Sequence, residues 1–208
     1  MLKTIKENVR EEVVEKKSKF IADLIYVQST KEAEEELKKI KKKYHDARHH
    51  CYAYSIMTSN GIVNRASDDG EPSGTAGAPM LNIINKNELI NVLIVVTRYF
   101  GGILLGTGGL VKAYSESTIK AIEAATLALE QRGYEISLDV NYNDYEKLCY
   151  YCKNNNIKII NSDYGEKINC KLEVTKEENE KIIKEQKELK LNFTIENYKI
   201  IEEKNVRK

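Results

Sequence analysis

The chain has 208 residues, 41% hydrophobic and 31% charged, with a formal net charge of +1 at pH 7. This is the balance of a soluble globular protein with one large or two small domains, and it excludes nucleic-acid binding driven by bulk charge. Residues 1–132 hold 19 Lys and Arg against 17 Asp and Glu, and the remainder 14 against 15, so any RNA contact must come from a local patch.

No apolar run approaches the length of a membrane span and residues 1–8 carry no apolar leader, so a cytoplasmic protein without membrane contact is expected. Cys51, Cys149, Cys152 and Cys170 are then expected as free thiols. The one CxxC, Cys149–Cys152, has no second pair and no nearby His, and reads as helix thiols rather than a zinc site. Neither a metal nor a cofactor is expected.

Residues 9–28 alternate roughly between apolar and polar around Lys16-Lys17-Ser18-Lys19, a hairpin turn or a polar strand end, which predicts two strands. A helix follows with Thr30 as its N-cap and Ala33, Leu37, Ile40 and Tyr44 as its apolar stripe. Cys51–Met57 is aromatic and β-branched, hence a strand, and Asn60-Gly61 is a hairpin turn signal returning through Ile62–Ala66. Thr75–Asn85 can form a helix presenting Met80, Leu81, Ile83 and Ile84. Val92–Val96 is a continuous apolar run, as in a strand buried on both faces. A long helix is expected from Thr107 to Arg132, closed by Gly133 at its C-terminus. Beyond it the pattern reads strand 135–142, helix 143–156, strand 157–163, strand 167–174, helix from a Thr175 cap to Leu189, and strand 191–202. That order, βαββαβ, is the split βαβ arrangement of ferredoxin-like domains. The expected fold class is therefore α+β in two domains, residues 1–132 and 133–208.

Eight of the eleven glycines and both prolines fall between Ser67 and Leu110. They form two loops, Ser67–Pro79 and Arg98–Leu110, with Val92–Val96 between. A strand, a glycine loop and a helix start together present backbone N–H groups to an anion. The candidate binding residues of the second loop are Arg98, Gly101, Gly102, Gly106, Gly108, Gly109 and Lys112; those of the first are Asp68, Asp69, Glu71, Ser73 and Thr75, with His50 nearby. The Walker spacing fails because Lys112 comes too late, and the dinucleotide spacing fails at Val111. Arg98 is either a ligand for a phosphate or carboxylate, or the partner of Asp68, Asp69 or Glu71. Those three acids could also hold Mg²⁺ or Ca²⁺, although the EF-hand pattern is absent. His45 and His49 are four apart, as zinc ligands or acid–base groups on a helix would be, but residues 45–50 look like a helix exit. Neither G-x-S-x-G nor H-E-x-x-H is present, so a hydrolase has no support and catalytic residues are not assigned.

The segments His49–Tyr54, Ser67–Gly77 and Val96–Tyr114 resemble the bacterial YigZ proteins and the corresponding domain of the eukaryotic IMPACT proteins. The resemblance implies a first domain folded like the second domain of a small-subunit ribosomal protein, a fold class shared with a domain of elongation factor G and with galactokinase-type kinases. It implies a second domain similar to the ferredoxin-like C-terminal domain of elongation factor G. Eukaryotic relatives regulate translation by binding a ribosome-associated activator of a stress kinase, whereas the bacterial branch is usually connected with nucleic acid or the ribosome. The expected function is thus a non-enzymatic, translation-associated regulator binding RNA, the ribosome or a translation-associated protein. The alternative is an enzyme or sensor for a small phosphorylated ligand or nucleotide, by analogy of fold.

Overall fold

The computed structural model describes residues 2–58 and 60–207. The chain divides into two compact units, Met1–Leu129 and Glu130–Lys208. The end residues of the two expected domains, Met1 and Lys208, lie outside the described residues.

The first unit is built on an antiparallel sheet of five strands, β2 (Val9–Glu15), β3 (Ser18–Tyr26), β4 (His49–Thr58), β5 (Gly61–Ser67) and β6 (Val92–Tyr99), in the order β2-β3-β6-β4-β5. The short β1 (Lys3–Ile5) pairs instead with Leu127–Leu129. The β2–β3 turn is Lys16-Lys17, both with left-handed φ, and Glu15 pairs with Ser18 across it. The β4–β5 register pairs Thr58 with Gly61, so Gly61, expected in the turn, opens β5; Ser59 lies outside the described residues.

Helix α1 (Thr30–Lys43) covers one face of this sheet, while α2 (Gly77–Lys86) and α3 (Gly106–Ala124) cover the other. The cap of α1 is Ser29, whose hydroxyl accepts from Glu32 N, and not Thr30. Its Ala33 and Ile40 pack with Leu93 and Val95. Val92, Ile94 and Val96 point the other way, onto Met80, Ile84 and Tyr114. Val92–Val96 of β6 is apolar at every position because the strand is central and covered on both sides, here in an antiparallel sheet.

The helix expected to continue to Arg132 ends at Ala124, and Leu127–Val140 is one strand, β7. Leu127-Ala-Leu-Glu-Gln-Arg132 is made of good helix formers, but pairing with β1 and then with the last strand overrides that preference. Gly133 is not a helix C-cap; it sits inside β7, paired to Thr175 and Lys204. A Cβ there would stand 2.2 Å from the Val174 carbonyl oxygen and 2.3 Å from Val206 Cγ2, so only glycine fits between the flanking strands.

In the second unit, α4 (Tyr142–Asn154), β8 (Lys158–Tyr164), β9 (Ile168–Thr175), α5 (Lys176–Lys187) and β10 (Glu196–Arg207) follow β7. The strand order β8-β9-β7-β10, antiparallel throughout, is that of a ferredoxin-like domain. Ile136, Leu138 and Val140 of β7 and Cys170 and Leu172 of β9 meet Leu148 of α4 and Ile182 of α5 in a single core. Thr175 caps α5 in a reciprocal capping box with Glu178. The final strand starts at Glu196 rather than Leu191, because Phe193 and Ile195 are buried in this core as part of an irregular lead-in. Among the described residues no helix is long and apolar enough to cross a membrane.

Candidate functional site

Asp68, the first acid of the first glycine loop, shapes that loop. Its carboxylate accepts from the backbone N–H groups of Gly74, Ala76 and Gly77, each at 2.9 Å. Partial burial pushes its pKa up, and the three N–H donors outweigh this, so the group lies below its ordinary value. Asp69 is held in the same way. Partial burial raises its pKa, but the Lys41 ammonium at 2.8 Å and the His50 backbone N–H at 2.8 Å bring it below the ordinary value.

His49 and His50 lie in β4, and His45 in the turn before it, so no helix face unites His45 with His49. The His49 Nδ1–H donates to the Asp69 carbonyl and the His50 Nε2–H to the Tyr44 carbonyl, both at 3.0 Å, since a carbonyl can only accept. The histidines thereby tie the first loop and the end of α1 to the sheet.

Of the two roles expected for Arg98, the structure realises the second. Arg98 Nη1 donates to Glu71 Oε1 at 2.7 Å, and the two residues are only 7% and 8% exposed. The guanidinium carbon lies 5.5 Å from the Phe20 ring centre and 5.6 Å from that of Phe100. The same Glu71 oxygen accepts from the Tyr114 hydroxyl at 2.9 Å. Cys51 Sγ lies 3.2 Å from that hydroxyl and 2.9 Å from the Asp68 carbonyl. Burial pushes the Cys51 thiol up to about 12 and the Tyr114 phenol further still, so both stay protonated at neutral pH. This network joins the first loop, β4, β6 and α3 from within. Among the described residues, no three His, Cys, Asp or Glu side chains are placed to hold a metal ion.

Thr75 is buried and its hydroxyl donates to the Pro72 carbonyl, whereas Ser73 is exposed. The second loop turns its glycines outward. Gly101 is the exception: a Cβ there would stand 2.0 Å from the Lys17 carbonyl carbon, so glycine seats this loop on the β2–β3 turn, where Gly101 N also donates to Ser18 Oγ. Gly102, Gly106 and Gly108 have nothing within 4 Å of a Cβ position and are exposed, as is Lys112, while Gly109 stands against Leu105. No side chain caps the start of α3, and its first turn contains no acid.

The arrangement therefore separates two sets of residues. Asp68, Asp69, Glu71, Thr75, Arg98 and His50 bond one another or the backbone, whereas Gly102, Gly106, Gly108 and Lys112 face outward. Beside the exposed glycines stand Phe100, 53% exposed, Ile103, and Leu104, 83% exposed. None of these three is among the residues that the sequence points to; their signal is large apolar side chains in a glycine-rich loop, where polar residues are usual.

The fold and this site define a two-domain α+β protein whose first unit carries an outward-facing glycine loop on an internally bonded support. The Impact N-terminal domain family matches residues 16–122, and a domain family of unknown function, DUF1949, matches residues 138–185. The chain is 39% identical over 153 residues to the IMPACT family member YigZ of Escherichia coli, covering 72% of this chain and 74% of that protein. It is 34% identical over 161 residues to an IMPACT family member of Haemophilus influenzae, covering 77% and 78%. The match to YvyE of Bacillus subtilis, 48% identical, covers 57% of this chain and 54% of YvyE. The crystal structure of a hypothetical protein aligns over 93% of this chain and 95% of its own, at 30% identity and a TM-score of 0.64. This chain belongs to the IMPACT family.

Proposed function

We propose that the chain is a non-enzymatic, translation-associated regulator of the cytoplasm that binds RNA, the ribosome or a ribosome-associated protein. The observation that carries this reading is the division of labour at the two loops. Glu71, Arg98, Tyr114 and Cys51 are bonded to one another inside the unit, and the exposed part of the second loop offers contact surface. Cys51, the buried thiol of the network, is held in its protonated, unreactive form. Family membership supports the connection with translation.

The test is co-sedimentation of the full chain with unwashed ribosomes through a sucrose cushion over a range of salt. Binding that saturates and weakens with salt is expected. Absence from the ribosomal pellet at every salt concentration would overturn the reading. One observation favours the small-ligand alternative, the uncapped start of α3 with its free N–H groups. A thermal-shift screen of nucleotides and phosphorylated metabolites separates the two, since a rise of several degrees with one compound would favour that alternative.

A further inference from the structure

The exposed part of the second loop is apolar at its tip and cationic at its border. Phe100, Ile103 and Leu104 project around Gly101, and Gly101 rests on the backbone of Lys17. The adjoining turn, Glu15–Lys19, holds three lysines against one glutamate. Lys19 pairs with Glu12 at 3.0 Å, while Lys16 and Lys17 are exposed and form no ion pair among the described residues. On the other side of the tip, α3 begins without a cap or an acid in its first turn, so its positive end is also uncompensated.

We infer that this surface docks a protein segment that is acidic and carries bulky apolar side chains, the apolar residues packing on Ile103 and Leu104 and the carboxylates meeting Lys16, Lys17 and the first turn of α3. The inference rests on the binding function proposed above and names the class of partner.

Three observations favour a protein segment over RNA. The most exposed anchor, Leu104, is aliphatic, as is Ile103, and aliphatic side chains bury well against other apolar side chains but offer no stacking plane to a base. The one aromatic residue, Phe100, already lies against the Arg98 guanidinium. The cations are also few, in a unit close to charge neutrality, whereas tracking a nucleic-acid backbone calls for an extended basic stripe. A small apolar centre with a charged border is the usual anatomy of a protein interface.

The test pans a library of random displayed peptides, about a dozen residues long and so able to span one such apolar patch, on the full chain. Two variants serve as counter-selections. Ile103→Ser/Leu104→Ser removes exposed apolar surface only. Lys16→Asn/Lys17→Asn removes both charges while keeping residues that accept left-handed φ. The expected result is enrichment of peptides combining Asp or Glu with Leu, Ile or Phe. Their affinity should fall at least about tenfold, or 1.4 kcal/mol, in the first variant, and their salt dependence should flatten in the second. Enrichment of basic peptides, or enrichment that both variants retain, would overturn the inference. So would a random single-stranded RNA pool that binds the chain and is lost in the same variants. Ribosome co-sedimentation unchanged in Ile103→Ser/Leu104→Ser would remove this surface as the docking site and leave the proposed function standing. Failure of wild-type co-sedimentation would remove the function itself.

Discussion

Arg98 shows how one residue changes meaning once its partner is known. At the end of an apolar strand, before a glycine loop, it has the setting of an anion ligand. In the structure its charge is matched by Glu71 and its guanidinium carbon lies 5.5 Å and 5.6 Å from the ring centres of Phe20 and Phe100. Arg98→Ala would leave the Glu71 carboxylate buried without a countercharge, and removal of one partner from a buried pair costs about 3–5 kcal/mol. Urea denaturation of Arg98→Ala should register a loss of this order, and Arg98→Met/Glu71→Leu should recover much of it. Asp68 supports a pH prediction. Its folded pKa is lowered, so its stabilising contribution is present above the unfolded carboxylate value of 3.8 and is lost as pH falls through the lower, folded value. In Asp68→Asn the decline of stability below about pH 3.8 should be shallower than in the wild type, as read by thermal melts across the acid range.

At the scale of elements, β7 carries the main lesson. Its first half has helix-forming composition and its glycine stands where a helix would end. What makes it a strand is pairing with partners far away in the chain, β1 on one stretch and β9 and β10 on the other. Gly133→Ala separates the two conformations by magnitude. A helix C-cap glycine in the left-handed region replaced by alanine would cost about 1 kcal/mol, whereas here the Cβ must displace the Val174 carbonyl, and a loss above about 2 kcal/mol is expected in urea denaturation. Gly101→Ala should be costly for the same reason, with the Lys17 backbone as the obstacle. By contrast, Thr175→Ala at the capping box of α5 should cost only about 1 kcal/mol, because one side-chain-to-backbone hydrogen bond is lost and no backbone atom is displaced.

For the whole molecule, the informative contrast is between what holds the first unit together and what it leaves exposed. The polar network of the first loop is the internal part, and the apolar tip of the second loop is the external part. Ile103→Ser/Leu104→Ser should therefore leave the melting temperature within a degree or two of wild type, as exposed substitutions usually do, while reducing recovery with ribosomes in the cushion assay. A large drop in melting temperature would instead make these side chains structural.

Local patterns were enough to read much of this protein from its sequence. The two strands on either side of Lys16–Lys19, the apolar stripe of α1, the doubly buried run Val92–Val96, the Thr175 cap and the βαββαβ order all follow from spacing and turn chemistry, which need no distant partner. The clustering of glycines likewise located the two loops. What only the tertiary structure decided depends on residues far apart in the chain. The conformation of Leu127–Gly133 required β1, β9 and β10; the fate of Arg98 required Glu71, 27 positions away; and the exposure of Leu104 required knowing which side of the loop the sheet covers. A sequence specifies hydrogen-bonding capacity and apolar area at each position, but the partner that satisfies or covers them is chosen only when the chain has folded.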